Sequence, residues 1–295
     1  MKKAILPLAL CVAVTLVTGA AMGAAGSSTV DPTALPLGDY KYSTSDARRG
    51  YIYTCRAPMG QGGAGVDGPW IHGTTYDRTS KAVVDGSVSW PQAHVSIRRS
   101  GANRMVTGDG LPTNHTTGVY PIQPSDDAYQ YDRNPNSIKE QSVTYTLPAN
   151  PKVGAPQCIG GEVGIAKNGV KIFDGFDAGG RDANAHEIQD HCGGHPERTG
   201  TYHYHSIPSC LYMGQSKSKH SGLVGYAYDG FGIYGPRGND GKLLTDDDLD
   251  VCHGHTHKVW FNGRFQRIYH YHATAEFPYT VGCFRGTKIA SNVPR

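Results

Sequence analysis

Two strings of the chain are identical, Tyr202-His203-Tyr204-His205 and Tyr269-His270-Tyr271-His272. If each is a strand, its side chains alternate, so His203 and His205 share one face and Tyr202 and Tyr204 the other. His270 and His272 repeat that geometry. Two imidazoles at i and i+2 are spaced to grip one ion, and imidazole suits Zn, Cu, Fe and Ni rather than Ca or Mg. His195 and His255 each precede a string by a loop able to fold back over it, in Asp190-His191-Cys192-Gly193-Gly194-His195 and Asp250-Val251-Cys252-His253-Gly254-His255. Each copy therefore offers three histidines, the ligand count of many catalytic zinc sites, where a fourth position stays open. Asp190 and Asp250 are candidates to orient an imidazole from behind. With zinc, bound water becomes a nucleophile near neutral pH, and Glu187, Asp190 or Asp250 is a candidate base. With copper, redox chemistry or copper handling follows instead. The spacing leaves open whether the copies make two sites or share one.

A single Tyr/His alternation is commonly a half-buried strand whose histidines bond to carboxylates or carbonyls. Here the flanking hairpins have drifted, Ile165 against Tyr226 and Lys167 against Tyr228, while all four residues of the string are unchanged. Packing alone tolerates such swaps, so the identity points to a chemical demand. Other histidines carry weaker signals. His115 lies in a Pro-rich stretch from which it is placed to reach a site. His186 and His191 lack counterparts in the second copy and read as supporting or surface residues; His72, His94 and His220 read as ordinary. No Gly-x-Ser-x-Gly elbow, phosphate-binding loop or His-Glu-x-x-His is present.

The elements that must hold these residues are themselves repeated. Residues 163–173 match residues 224–234, with Asn168-Gly169 aligned on Asp229-Gly230. Such pairs between β-prone runs are the strongest short-range hairpin signal and predict a tight I′ turn with positive φ at both positions. Each unit, 163–210 and 224–283, then reads as hairpin, loop, Tyr/His strand and closing cysteine. Residues 87–90, 94–98, 104–107 and 142–147 read as further strands. Residues 182–190 and 245–249 read as short helices, the latter capped by Thr245. Residues 111–136 hold four prolines and read as an irregular loop. The fold class expected is mainly β: a β-sandwich-like body with an internal duplication, few short helices and disulfide staples.

Composition bounds the rest. The chain has 295 residues, with Lys+Arg 28 against Asp+Glu 25. A net charge of +3 gives no basic stripe and argues against a nucleic-acid partner. Tyr at 18 against Phe at 7 suits strands with one apolar side and one polar tip. Lys2 and Lys3 precede an apolar run over residues 4–17, and small residues follow. Residues 1–25 therefore read as a signal peptide, residues 26–49 as a flexible leader, and the mature chain as exported, periplasmic or secreted, with no stable membrane insertion. Removal of the signal takes Cys11 with it. Cys55, Cys158, Cys192, Cys210, Cys252 and Cys283 remain, an even number that reads as disulfides. The equivalent spans suggest Cys192–Cys210 and Cys252–Cys283 within units, with Cys55–Cys158 tying residues 50–150 to the duplicated region 151–295. A cross-pairing between units fits the arithmetic equally well.

These strings resemble the YHYH-domain family of exported proteins. The resemblance spans roughly residues 111–286. It is carried by Asn134-Pro135-Asn136, Gly193-Gly194-His195-Pro196, both Tyr-His-Tyr-His strings, Asp229-Gly230-Phe231-Gly232-Ile233-Tyr234-Gly235 and Pro278-Tyr279-Thr280-Val281-Gly282-Cys283. One departure is the longer link through residues 258–265. The resemblance implies the domain and brings no activity with it. The leading function is a metalloprotein binding Zn or Cu through His203, His205, His270 and His272, helped by His195 and His255, and acting as a metal-dependent hydrolase or a redox protein. Two rivals stand beside it. One is a groove of Tyr and His side chains for a glycan or small anionic ligand. The other is a purely structural, disulfide-stapled surface domain.

Overall fold

Alternation of apolar and polar residues after Ala93 builds three strands, β1 (Val95–Ser100), β2 (Asn103–Gly108) and β3 (Val143–Pro148). They pair antiparallel in the order β1-β2-β3. In the computed structural model, described for Met1, residues 30–60 and residues 62–289, this front sheet buries Val106, Val143, Tyr145 and Leu147. Period-two alternation points those residues to one side.

A second sheet carries the Tyr/His strings. Its strands are β4 (Glu162–Ala166), β5 (Lys171–Phe173), β6 (Gly194–Pro196), β7 (Tyr202–Tyr204), β8 (Leu223–Ala227), β9 (Gly232–Tyr234), β10 (Gly254–Phe261) and β11 (Arg264–His272). Their order across the sheet is β6-β7-β5-β4-β8-β9-β11-β10. The halves meet where β4 and β8 pair antiparallel, with Ile165 opposite Tyr226. Outward from that seam each half repeats one scheme. A hairpin partner comes first, then the Tyr/His strand parallel to it, then an antiparallel outer strand. Ile172 faces Tyr204 in one half, and Ile233 faces Tyr271 in the other. Front sheet and main sheet share one core, which joins Val106, Tyr145 and Leu147 to Val163, Ile165, Tyr204 and Tyr271.

The link through residues 258–265 does not disturb this scheme. It lengthens the β10–β11 hairpin outward to a turn at Asn262 and Gly263, with φ of 53° and 78°. His255 therefore faces His270 in the register in which His195 faces His203.

Four expectations need correction. The aligned Asn-Gly and Asp-Gly turns are not I′, because positive φ falls on Gly169 (95°) and Gly230 (91°) and not on Asn168 or Asp229. Ala166 N donates to Val170 O, and Ala227 N to Phe231 O, closing three-residue loops with a glycine in the left-handed position. Residues 87–90 make a single bridge, Val88 to Thr117, in place of a strand. The expected helix over residues 182–190 is one turn, α1 (Ala183–His186), capped by Asp182. The described part of the expected leader, residues 30–49, packs into the body. Leu35 and Leu37 are buried, Leu35 and Pro36 pair with Tyr76 and Thr75, and Gly38 N donates to Asp182 Oδ2. Two leucines and a backbone that finds partners outweigh a polar composition.

Residues 246–248 form the expected short helix, with a capping box between Thr245 and Asp248. The disulfides are Cys55–Cys158, Cys192–Cys210 and Cys252–Cys283. Among the described residues no helix is long and apolar enough to cross a membrane. The segment read above as a signal peptide, beyond Met1 and with Cys11, lies outside the described residues.

Candidate metal centres

Strand alternation divides each string as its sequence requires. Tyr202, Tyr204, Tyr269 and Tyr271 enter the shared core, while the histidines collect on the other side of the sheet. Two groups form. His195, His203 and His205 make the first, and His220, His255, His270 and His272 the second, with the candidate ligand atoms of each group within 4.8 Å of one another. The first group is wholly buried; His220 and His255 of the second are half-buried. Either group could hold a metal ion, so the candidate sites are two, one beside each Tyr/His string.

The hydrogen bonds of the imidazoles fix which nitrogen is free. His203 Nδ1 donates to Thr201 O at 3.1 Å and His205 Nδ1 to Asp174 O at 2.5 Å. His270 Nδ1 donates to Ile268 O at 3.0 Å, His272 Nδ1 to Gly235 O at 2.6 Å and His220 Nδ1 to Ser221 O at 2.7 Å. A carbonyl only accepts, so Nδ1 carries the hydrogen and Nε2 of the neutral ring is a bare lone pair. Burial holds the rings neutral: it pushes His203 down to about 4 and His270 to about 2. His205 is pushed to about 3 by burial and by His203, and His255 to about 4 by burial and by His257 and His220. Burial, then the neighbouring imidazoles, holds His195 and His272 well below the usual range.

The bare nitrogens converge. Nε2 of His203 and His205 are 3.1 Å apart, those of His220 and His270 3.1 Å, and those of His255 and His272 3.0 Å. Lone pairs this close repel unless a cation lies between them. In a tetrahedral site with metal–nitrogen bonds of about 2.0–2.1 Å, neighbouring nitrogens lie about 3.3–3.4 Å apart. The observed separations are a few tenths of an ångström from that value. Phe173 lies against His203 at 4.1 Å between ring centroids, and His257 stacks on His255 at 4.1 Å.

The carboxylates do not all stand where the sequence suggests. Asp190 accepts from the Tyr202 hydroxyl at 2.8 Å and from Gly118 N and Cys192 N. Asp250 accepts from the Tyr269 hydroxyl at 2.9 Å and from Cys252 N. Both therefore brace tyrosines and loop backbone, and backbone carbonyls take over the expected orienting of the imidazoles. Glu187 does reach the first group: its Oε2 is 3.5 Å from Nε2 of both His195 and His205. His115 bonds the Tyr204 hydroxyl at 2.6 Å and Thr116 O, on the tyrosine side of the strand, and joins neither group. His220 is the residue that sequence reasoning missed. It has no counterpart in the first copy, so no spacing marks it.

A family model described as "YHYH protein" matches residues 144–245. The chain contains a YHYH domain. No curated protein and no solved structure matches the chain. The match takes in all three histidines of the first group and His220, and ends before His255, His270 and His272. The YHYH string thus supplies two of three imidazoles in one group and two of four in the other. Its tyrosines are buried and bonded to Asp190, Asn168, Asp250 and Asp229.

Proposed function

We propose that this YHYH-domain chain is an exported transition-metal-binding protein that holds one ion at each imidazole group, Zn(II) or Cu(II) by ligand type. One observation carries the reading. In three pairs of imidazoles the Nε2 atoms approach to 3.0–3.1 Å inside the protein. The Nδ1 protons of five of these six rings are committed to backbone carbonyls. Proteins orient metal-binding histidines by this kind of outer hydrogen bond. Export is supported by the Lys2-Lys3 and apolar N-terminal sequence, and by three disulfides, which persist in oxidising compartments. A zinc ion with an open position would supply an activated water, and a copper ion a redox couple.

The test is metal content of the untagged protein after incubation with Zn(II) or Cu(II). Wild type is expected to hold two equivalents, His203→Ala/His205→Ala one, and His270→Ala/His272→Ala one. Wild type that takes up neither metal would exclude the reading.

A further inference from the structure

The two centres differ in one donor, and the first is completed by a carboxylate that the histidine strings do not announce. Glu187 follows α1 directly, and its place is fixed through its backbone. Glu187 N donates to Ala183 O, and the Lys81 ammonium donates to Glu187 O at 2.7 Å and to Gln189 Oε1 at 2.6 Å. Ile188 N donates to Asp132 Oδ2 at 3.0 Å. These bonds hold the backbone of residues 187–189, from which the Glu187 side chain reaches the first group.

Inside, that side chain meets a gap in the bonding. Glu187 Oε2 is shielded from solvent and has no hydrogen-bond partner, and the same holds for both ring nitrogens of His195. A buried polar atom left so is costly, and here two such groups face each other at 3.5 Å. The same oxygen is 3.5 Å from His205 Nε2. That separation is close to the spacing of about 3.4 Å between neighbouring donors on one tetrahedral ion. One cation satisfies the oxygen and Nε2 of His195 and His205 together.

We infer that Glu187 is the fourth ligand of the first centre, giving it a closed three-imidazole, one-carboxylate shell. The second centre is an all-imidazole shell open to exchange with solvent. This rests on the metal-binding reading above. Four protein donors fill the shell of a tetrahedral ion, so both centres are closed by count, and they differ in burial and in the carboxylate. The first centre, wholly buried and beside the Glu187 carboxylate, therefore holds its ion the more firmly. In the second, His220 and His255 are only half-buried, and among the described residues no carboxylate approaches its imidazole nitrogens as Glu187 does those of His195 and His205. Exchange of the ion with solvent belongs there. Glu187 is then a ligand and not a general base.

The measurement is the rate of zinc release from the fully loaded protein into excess chelator, followed by a metal-sensitive dye. Wild type is expected to release one equivalent quickly and one at least about ten-fold more slowly. In Glu187→Gln the slow phase should vanish or accelerate to the rate of the fast one, with the fast phase unchanged. The unchanged fast phase also reports that the variant is folded. His195→Ala should act like Glu187→Gln, and His220→Ala should remove the fast phase alone. Equal release rates for the two equivalents in wild type would overturn the inference, as would an unaltered slow phase in Glu187→Gln. Wild type holding a single equivalent would overturn it too, while leaving a metal protein. Wild type holding none would remove the metal-binding reading itself.

Discussion

At the scale of single residues, alternation along one strand separates two tasks. In Tyr202-His203-Tyr204-His205 the histidine nitrogens face each other bare, while the tyrosine hydroxyls end on acceptors in the core: Asp190 for Tyr202, and Tyr271 bonds Asp229 likewise. These tyrosine bonds hold the strand on its support, and burial of both partners makes them costly to break. Tyr202→Phe leaves the Asp190 carboxylate short of one donor, though Gly118 N and Cys192 N still reach it. The expected cost is about 1–3 kcal/mol of stability, read as a lower denaturant midpoint. Metal stoichiometry should stay at two equivalents. His205→Ala is expected to reverse the pattern, with one equivalent lost. A Tyr202→Phe variant that lost metal while still folded would show that the two faces of the strand are not separate in function.

At the scale of elements, the hairpins that begin each half set where the Tyr/His strands can pair, because β5 and β9 are the rails on which β7 and β11 lie in parallel. Each hairpin turns on a glycine in the left-handed region, Gly169 at 95° and Gly230 at 91°. A side chain there costs about 1–2 kcal/mol from local sterics alone. At Gly169 an added Cβ would sit 3.1 Å from Val95 Cβ, a contact with a side chain that can move; at Gly230 it would collide with the Pro148 carbonyl. Gly169→Ala should therefore lower the melting temperature, and Gly230→Ala should lower it further. Equal shifts would show that the front sheet yields at β3. The existence of these hairpins, of the Tyr/His strands and of the three disulfides was legible because each depends on local pattern: turn residues, period-two alternation, and cysteines at matching offsets. Turn type was not legible, since Asn168 and Asp229 spend their side chains on Tyr204 and Tyr271 and leave positive φ to the glycines. His220 was not legible either, because it arrives from a segment outside the repeated pattern and only the fold brings it to His270. Leu35 and Leu37 were too few to mark their polar stretch as part of the body, yet residues far along the chain, Thr74 and Asp182, anchor it.

At the scale of the whole molecule, the imidazole groups sit on a sheet that is not a self-sufficient unit. The matched domain begins at residue 144, inside β3, so β1 and β2 lie outside it. Those strands are nonetheless bound into the body. Arg104 of β2 lies over the Tyr226 ring at 3.8 Å and donates to Asn262 Oδ1 at 2.6 Å, at the tip of the second half. The Tyr145 hydroxyl of β3 shares Glu162 Oε2 with that of Tyr228, at 2.9 Å each, across the seam between the halves. Cys55–Cys158 closes a loop of 103 residues between the front of the chain and β4, a constraint worth about 4–5 kcal/mol in the chain-entropy account. A chain of residues 151–295 alone would lose that link, the cation over Tyr226, and the Val106, Tyr145 and Leu147 side of the core. Domain stabilities of about 5–15 kcal/mol do not survive such losses. The fragment is therefore expected to be soluble at best as a loosely packed state, with dye-accessible apolar surface, no near-UV circular dichroism and no cooperative melting. The full chain should melt in one transition that rises with added metal, because an ion that binds only the folded state stabilises it by about 2.7 kcal/mol at a hundred times its dissociation constant. A fragment that melted cooperatively and held two equivalents would show that the eight-stranded sheet carries its own core, and that the front sheet serves some purpose other than folding it.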